Sequence, residues 1–134
     1  MKQIETRLAL VNGRIIAPQT VEVEKALIVE GSTIAGIVGV DELGVGIEQI
    51  DVGSRLIAPG LIDIHTHGAL GHTFNEPTAE AFGVITRENG RRGVTSLLAT
   101  PATAPIPNLL ACLEFSRDWM TGDHDGAQVL GVHL

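Results

Sequence analysis

Apolar and polar positions along this chain follow two rhythms. From residue 7 to about residue 52, apolar residues come in short runs broken by turn formers. Residues 7–11 read as a strand and Asn12-Gly13 as a tight turn. Residues 14–17 then read as the strand that pairs back, because Asn-Gly supplies the positive φ values of a two-residue hairpin loop. Residues 26–29 and 33–38 flank Glu30-Gly31-Ser32 and predict a second hairpin. Residues 39–46 form a glycine-punctuated turn region, and residues 50–52 a further short strand. Short strands with frequent turn signals predict a small β-sandwich over residues 1–55.

From residue 56 onward the pattern alternates between strand and helix. Residues 61–67 read as a strand whose first half is mostly apolar, at Leu61, Ile62 and Ile64, as expected of a parallel strand buried on both faces. Residues 68–77 read as a loop. Thr78 can cap a helix that runs to about Arg92, with Ala81, Phe82 and Ile85 on one face. Arg91 and Arg92 suit the negative end of its dipole, and Gly93 suits its C-cap. Residues 94–100 predict a second strand. A second helix begins within residues 103–107, where proline is tolerated, and Leu109, Leu110, Leu113 and Met120 give it an apolar stripe. Residues 122–126 form a polar loop, and residues 128–134 predict a third strand. The order strand–helix–strand–helix–strand places residues 56–134 in the α/β class with parallel pairing.

Nine basic residues against sixteen acidic give a net charge of −7, which argues against nucleic acid or an anionic membrane as the main partner. Local arginines leave room for an anionic small molecule. Cys112 is the single cysteine, so no intrachain disulfide can form; a reducing, cytoplasmic setting and a packed, inert thiol are expected. The segment Met1-Lys2-Gln3-Ile4-Glu5 lacks the apolar core of a signal peptide, and no stretch reaches the ~20 apolar residues of a membrane span.

The chemistry concentrates at His65-Thr66-His67, at the end of the first long apolar run. Alternate side chains of a strand share a face, so Asp63, His65 and His67 point one way and Ile62, Ile64 and Thr66 the other. Two imidazoles one pleat apart can hold one borderline divalent metal ion, zinc above all, with iron or another divalent metal as alternatives. Asp63 lies a pleat below His65 and reads as a supporting residue rather than a ligand.

The string Pro59-Gly60-Leu61-Ile62-Asp63-Ile64-His65-Thr66-His67-Gly68 resembles the first barrel strand of the amidohydrolase superfamily, metal-dependent hydrolases built on a (β/α)8 barrel. Three further segments narrow the resemblance to the N-acetylglucosamine-6-phosphate deacetylase family. They are Gly68-Ala69-Leu70-Gly71 with Phe74-Asn75, then residues 92–100, then Leu130-Gly131-Val132-His133-Leu134, which the family continues as Glu-Gly-Pro. The fold that the resemblance implies is a partial (β/α)8 barrel, its first three strands at residues 56–134, after the sandwich segment of residues 1–55. It also implies a phosphorylated amino sugar as substrate, a homodimer for the complete parent, and metal-assisted hydrolysis of an acetamide. An aspartate from a late strand would be the general base and then the general acid. A glutamate after strand three and two later histidines would complete the ligands. In some members the His-x-His pair serves a second metal position, and here both histidines are present.

Active sites in such barrels lie at the C-terminal ends of the strands. His133 should point into the barrel from strand three, as a packed interior histidine or a supporting residue of the site. His72 and Asn75 lie in the loop over the end of strand one and are candidates for substrate contact. His124, in an Asp-rich loop at the other end, reads as solvated. A complete barrel takes roughly 250 residues, so an N-terminal portion of a longer enzyme is expected. Such a portion should be inactive by itself, with an apolar surface beside strand three. The alternatives are a cyclic-amide or N-acyl amino acid hydrolase of the same superfamily, or a non-catalytic metal-binding module.

Overall fold

The computed structural model describes residues 7–134. The segment at residues 1–5, expected to carry no signal peptide, lies outside the described residues. The chain divides into two compact units, Met1–Pro59 and Gly60–Leu134. Among the described residues, no helix is long and apolar enough to cross a membrane.

The first unit contains strands β1 (Arg7–Val11), β2 (Arg14–Ile16), β3 (Val21–Glu22), β4 (Lys25–Glu30), β5 (Thr33–Gly39), β6 (Glu48–Asp51) and β7 (Leu56–Ile57), with one turn of 3-10 helix at Val40–Glu42. They form a four-stranded sheet in the order β5-β4-β1-β6 and a three-stranded sheet in the order β3-β2-β7. Ala9, Ile15, Ala26, Leu27 and Ile28 are its buried apolar residues. The hairpin of β4 and β5 forms where Glu30-Gly31-Ser32 predicts it, and Gly31 takes a φ of 56° to close the turn.

The hairpin expected at Asn12-Gly13 does not form. β1 pairs with β4 and β6, whereas β2 pairs with β3 and β7 in the other sheet. Asn12 has a φ of 58° and acts as a corner between the sheets. Its Nδ2 donates to Asp51 Oδ1 at 3.0 Å, and its carbonyl accepts from Ser54 N at 2.6 Å. A Cβ on Gly13 would lie 2.6 Å from both Ile57 and Val52 side-chain carbons, so any larger residue would force those side chains to shift. A two-residue primed turn needs a positive φ at both central residues, and here Asn12 alone has one, so the tight loop is not made. Because Leu56–Ile57 pairs with β2, the division falls after Pro59 rather than after residue 55.

The second unit contains β8 (Leu61–Thr66), β9 (Gly68–Ala69), β10 (His72–Thr73), α1 (Ala79–Arg91), β11 (Val94–Ala99), α2 (Ile106–Trp119) and β12 (Gln128–Val132). β8, β11 and β12 form a parallel sheet in the order β12-β11-β8. The segment expected to be a plain loop contains the small hairpin β9–β10, whose turn residues Leu70 and Gly71 take φ values of 51° and 84°. Consecutive positive φ values are the mark of a tight primed turn.

Helix α1 starts where Thr78 predicts it: the Thr78 hydroxyl accepts from Ala81 N at 3.2 Å, and Gly93 follows the last turn with a φ of 87°. Thr78→Ala should cost about 1 kcal/mol of stability, the usual value of an N-cap. Urea denaturation of the variant checks this; an unchanged midpoint would show that the cap contributes nothing.

Phe74, Phe82, Ile85, Leu97, Ala99, Ala127 and Val129 form the core of this unit. Phe82 meets Phe74 and Phe115 edge-on, each at 4.9 Å between ring centroids. This cluster sets the rotation of α2. Its buried line runs through Cys112 and Ser116, with Phe115 and Trp119 against the core, whereas Leu110 of the expected stripe is exposed. Strand β8 also departs from expectation. Leu61, Ile62 and Ile64 are 62%, 64% and 64% exposed, because β8 is a sheet edge and the helices pack over β11 and β12. Leu130 and Leu134, in and just after β12, are exposed as well.

Candidate metal centre

Three imidazoles collect at the C-terminal end of the parallel sheet. His65 is the penultimate residue of β8, His67 follows its last residue, and His133 follows β12. The His65 and His67 rings lie 5.0 Å apart between centroids at 83°. They share a side of the strand, as the alternation of side chains predicts. His133 meets His65 from another direction, 4.8 Å away at 86°. It is exposed rather than packed in an interior.

The backbone fixes two of these rings. Thr100, just past β11, donates its N–H to the Thr66 carbonyl at 3.1 Å, while its hydroxyl accepts from Thr66 N at 3.2 Å. Its own carbonyl then accepts from His67 Nδ1 at 2.8 Å. A carbonyl oxygen only accepts, so Nδ1 carries the proton and the neutral His67 ring keeps its lone pair on Nε2. His133 is held alike, its Nδ1 donating to the Ile64 carbonyl at 2.9 Å. A metal-ligating histidine characteristically donates its other ring nitrogen to a carbonyl or carboxylate. The donors therefore fit a borderline divalent metal in kind. In number, no three His, Cys, Asp or Glu side chains among the described residues converge on one point suited to a metal ion.

The other candidate residues are arranged as follows. Asp63 Oδ1 accepts from the backbone N–H of His65 at 3.0 Å, so it braces the strand and not an imidazole ring. His72 Nδ1 donates to Glu76 Oε2 at 3.2 Å. The Thr73 N–H, and after it His72, hold the Glu76 carboxyl below its ordinary pKa. Asn75 exchanges two hydrogen bonds with the backbone of Ala102: its Nδ2 donates at 2.9 Å and its Oδ1 accepts at 2.7 Å. Its amide therefore ties the loop after β8 to the loop after β11. His124 is not simply solvated, since one face of its ring stacks on Trp119 at 3.6 Å and 9°. Arg92 pairs with Glu88 along α1. Thr100 gives no sequence signal beyond standing at the end of its strand.

No protein-family model matches the chain. Individual proteins do. The N-acetylglucosamine-6-phosphate deacetylase of Haemophilus influenzae is 30% identical over 129 residues, which is 96% of this chain and 33% of that protein. The crystal structure of the N-acetylglucosamine-6-phosphate deacetylase of Pasteurella multocida superposes with a TM-score of 0.88 at 28% identity, over 95% of this chain and 33% of that one. A dihydroorotase of Bacillus caldolyticus is 40% identical over 83 residues, 60% of this chain and 18% of that protein. The chain thus falls within the amidohydrolase superfamily. Inside that superfamily, it has the sequence and fold of an N-terminal portion of the N-acetylglucosamine-6-phosphate deacetylase family. It spans about one third of the length of the first of these relatives.

Proposed function

We propose that this chain supplies the opening strands and the first histidine pair of an enzyme that hydrolyses N-acetylglucosamine 6-phosphate to glucosamine 6-phosphate and acetate. The observation that carries the reading is the placement of His65 and His67. They stand together at the C-terminal end of the first of three parallel strands, in a chain that aligns almost throughout with such deacetylases. In this reading β8, β11 and β12 are the first three strands of a (β/α)8 barrel, and the two sheets of the first unit are a small sandwich preceding it.

Nε2 of His65 and of His67 would hold a divalent metal, with zinc proposed from the imidazole donors and iron or another divalent ion as alternatives. Such a metal supplies Lewis acidity toward an amide carbonyl. The chain's own residues orient: Thr100 fixes the tautomer of His67, and Asp63 stiffens the strand at His65. His72, on the hairpin at the same end, is proposed to face the substrate. Asn75 acts through the loops it joins. The acid–base aspartate and the remaining ligands are placed outside these 134 residues, and the chain alone is expected to release no acetate. The complete protein is proposed to be a cytoplasmic homodimer, with the lone cysteine supporting the reducing compartment.

The test is acetate release from N-acetylglucosamine 6-phosphate by the complete gene product with added zinc. Turnover that a chelator abolishes is the expected result. The similarity to a dihydroorotase supports a second reading, a cyclic-amide hydrolase. Turnover of a dihydropyrimidine or dihydroorotate without acetate release would establish it instead, and zinc uptake with no hydrolysis would leave a metal-binding module.

A further inference from the structure

We propose that His133 is a positioning residue for His65, and that it presets the His65 ring for a divalent metal. The inference rests on the metal reading of the histidine pair. Among the described residues the His65 ring makes no hydrogen bond to protein, and it sits on an exposed edge strand. A histidine so placed ordinarily samples several rotamers. Here two edge-to-face contacts confine it, one with His67 at 5.0 Å and one with His133 at 4.8 Å.

His133 is itself fixed at two points. Its backbone N–H donates to the Ala99 carbonyl at 3.0 Å, which anchors it to β11. Its Nδ1 donates to the Ile64 carbonyl, which belongs to the peptide bond leading into His65. β11 lies between β12 and β8, so this side chain reaches past one strand to grip the next. It thus restrains both the backbone and the ring of His65. A direct ligand role fits less well, because the three rings do not converge on one point.

The test measures zinc affinity of the complete gene product by competition with a chromophoric chelator, and the His65 rotamer distribution of its metal-free form by NMR coupling constants. The wild type should bind zinc and hold His65 in one rotamer. H133A should bind zinc roughly ten- to hundredfold more weakly, the usual cost of losing a residue that orients a ligand, and should show rotamer averaging at His65. H133N, whose amide can donate to the Ile64 carbonyl, should recover part of both effects. H133F keeps the ring edge without the donor and should fall between H133N and H133A. If H133A does not fold, H133N and H133F carry the comparison with the wild type.

Wild-type affinity in H133A would overturn the proposal. So would H133N as weak as H133A with His65 still in one rotamer, since His133 would then be a ligand. A complete protein that takes up no zinc, yet holds His65 in one rotamer, would instead overturn the metal reading, and with it the purpose assigned to His133.

Discussion

Phe82→Ala should remove most of the stability of the second unit. Phe82 is fully buried and touches three aromatic rings: Phe74 and Phe115 at 4.9 Å, and Trp119 at 5.6 Å. Truncating a core phenylalanine costs about 3–5 kcal/mol, because the lost transfer energy is joined by the cost of a cavity that the surroundings fill only in part. Each well-placed aromatic pair adds about 0.5–1.5 kcal/mol beyond its buried area. Whole domains are stable by only about 5–15 kcal/mol. A unit with exposed apolar residues on both edge strands of its sheet stands at the low end of that range. Trp119 is the single tryptophan and packs on Phe82, so its emission reports this unit alone. The expected result is red-shifted emission and a collapsed urea midpoint, with Phe82→Leu far milder. A variant within about 1 kcal/mol of wild type would show that the aromatic cluster is not what holds α1 to α2.

Gly126→Ala should be nearly as damaging, for a different reason. Gly126 has a φ of 97°, and a Cβ there would collide with the backbone carbonyl of Thr86. The helix cannot retreat. Thr86 is fully buried, its hydroxyl donates to the Asp125 carbonyl at 3.1 Å, and its carbonyl accepts from Ala127 N at 2.9 Å. Backbone strain of this kind costs about 1–3 kcal/mol, and overpacking adds a similar amount, for a total of about 3 kcal/mol or more. Gly93 provides the control in the same unit. Its φ is 87°, but nothing lies within 4 Å of its Cβ position, so Gly93→Ala should show the strain alone. Equal urea midpoints for the two variants would refute the collision.

Local signals in the sequence survived folding best. Thr78 and Gly93 bound α1 as their chemistry demands, since a cap depends on residues within one turn. The shared face of His65 and His67 follows from strand geometry alone. Signals that name no partner were the ones misread. Of Asn12-Gly13 only Asn12 takes a left-handed backbone, and whether the next strand pairs back or joins another sheet depends on Val52, Ser54 and Ile57, some forty positions away. The run through Leu61, Ile62 and Ile64 has the composition of a strand covered on both faces, but composition does not say what covers it. At the candidate site, the partners of His67 and His133 are main-chain carbonyls. Every residue carries one, so no residue type could have marked Thr100 or Ile64 in advance.

The double hydrogen bond between Asn75 and Ala102 also has a bearing on chemical ageing. An asparagine amide matches a peptide group in donor and acceptor, and that match is what lets a side chain take the place of a rung between two loops. Deamidation at Asn75 would leave the accepting oxygen in place and turn the donor into a second oxygen, opposite the Ala102 carbonyl. Attraction would become repulsion between two acceptors, one of them charged. With almost no change in mass and no change in the core, the loops beyond β8 and β11 would part, and the rim beside the three histidines would lose its tie.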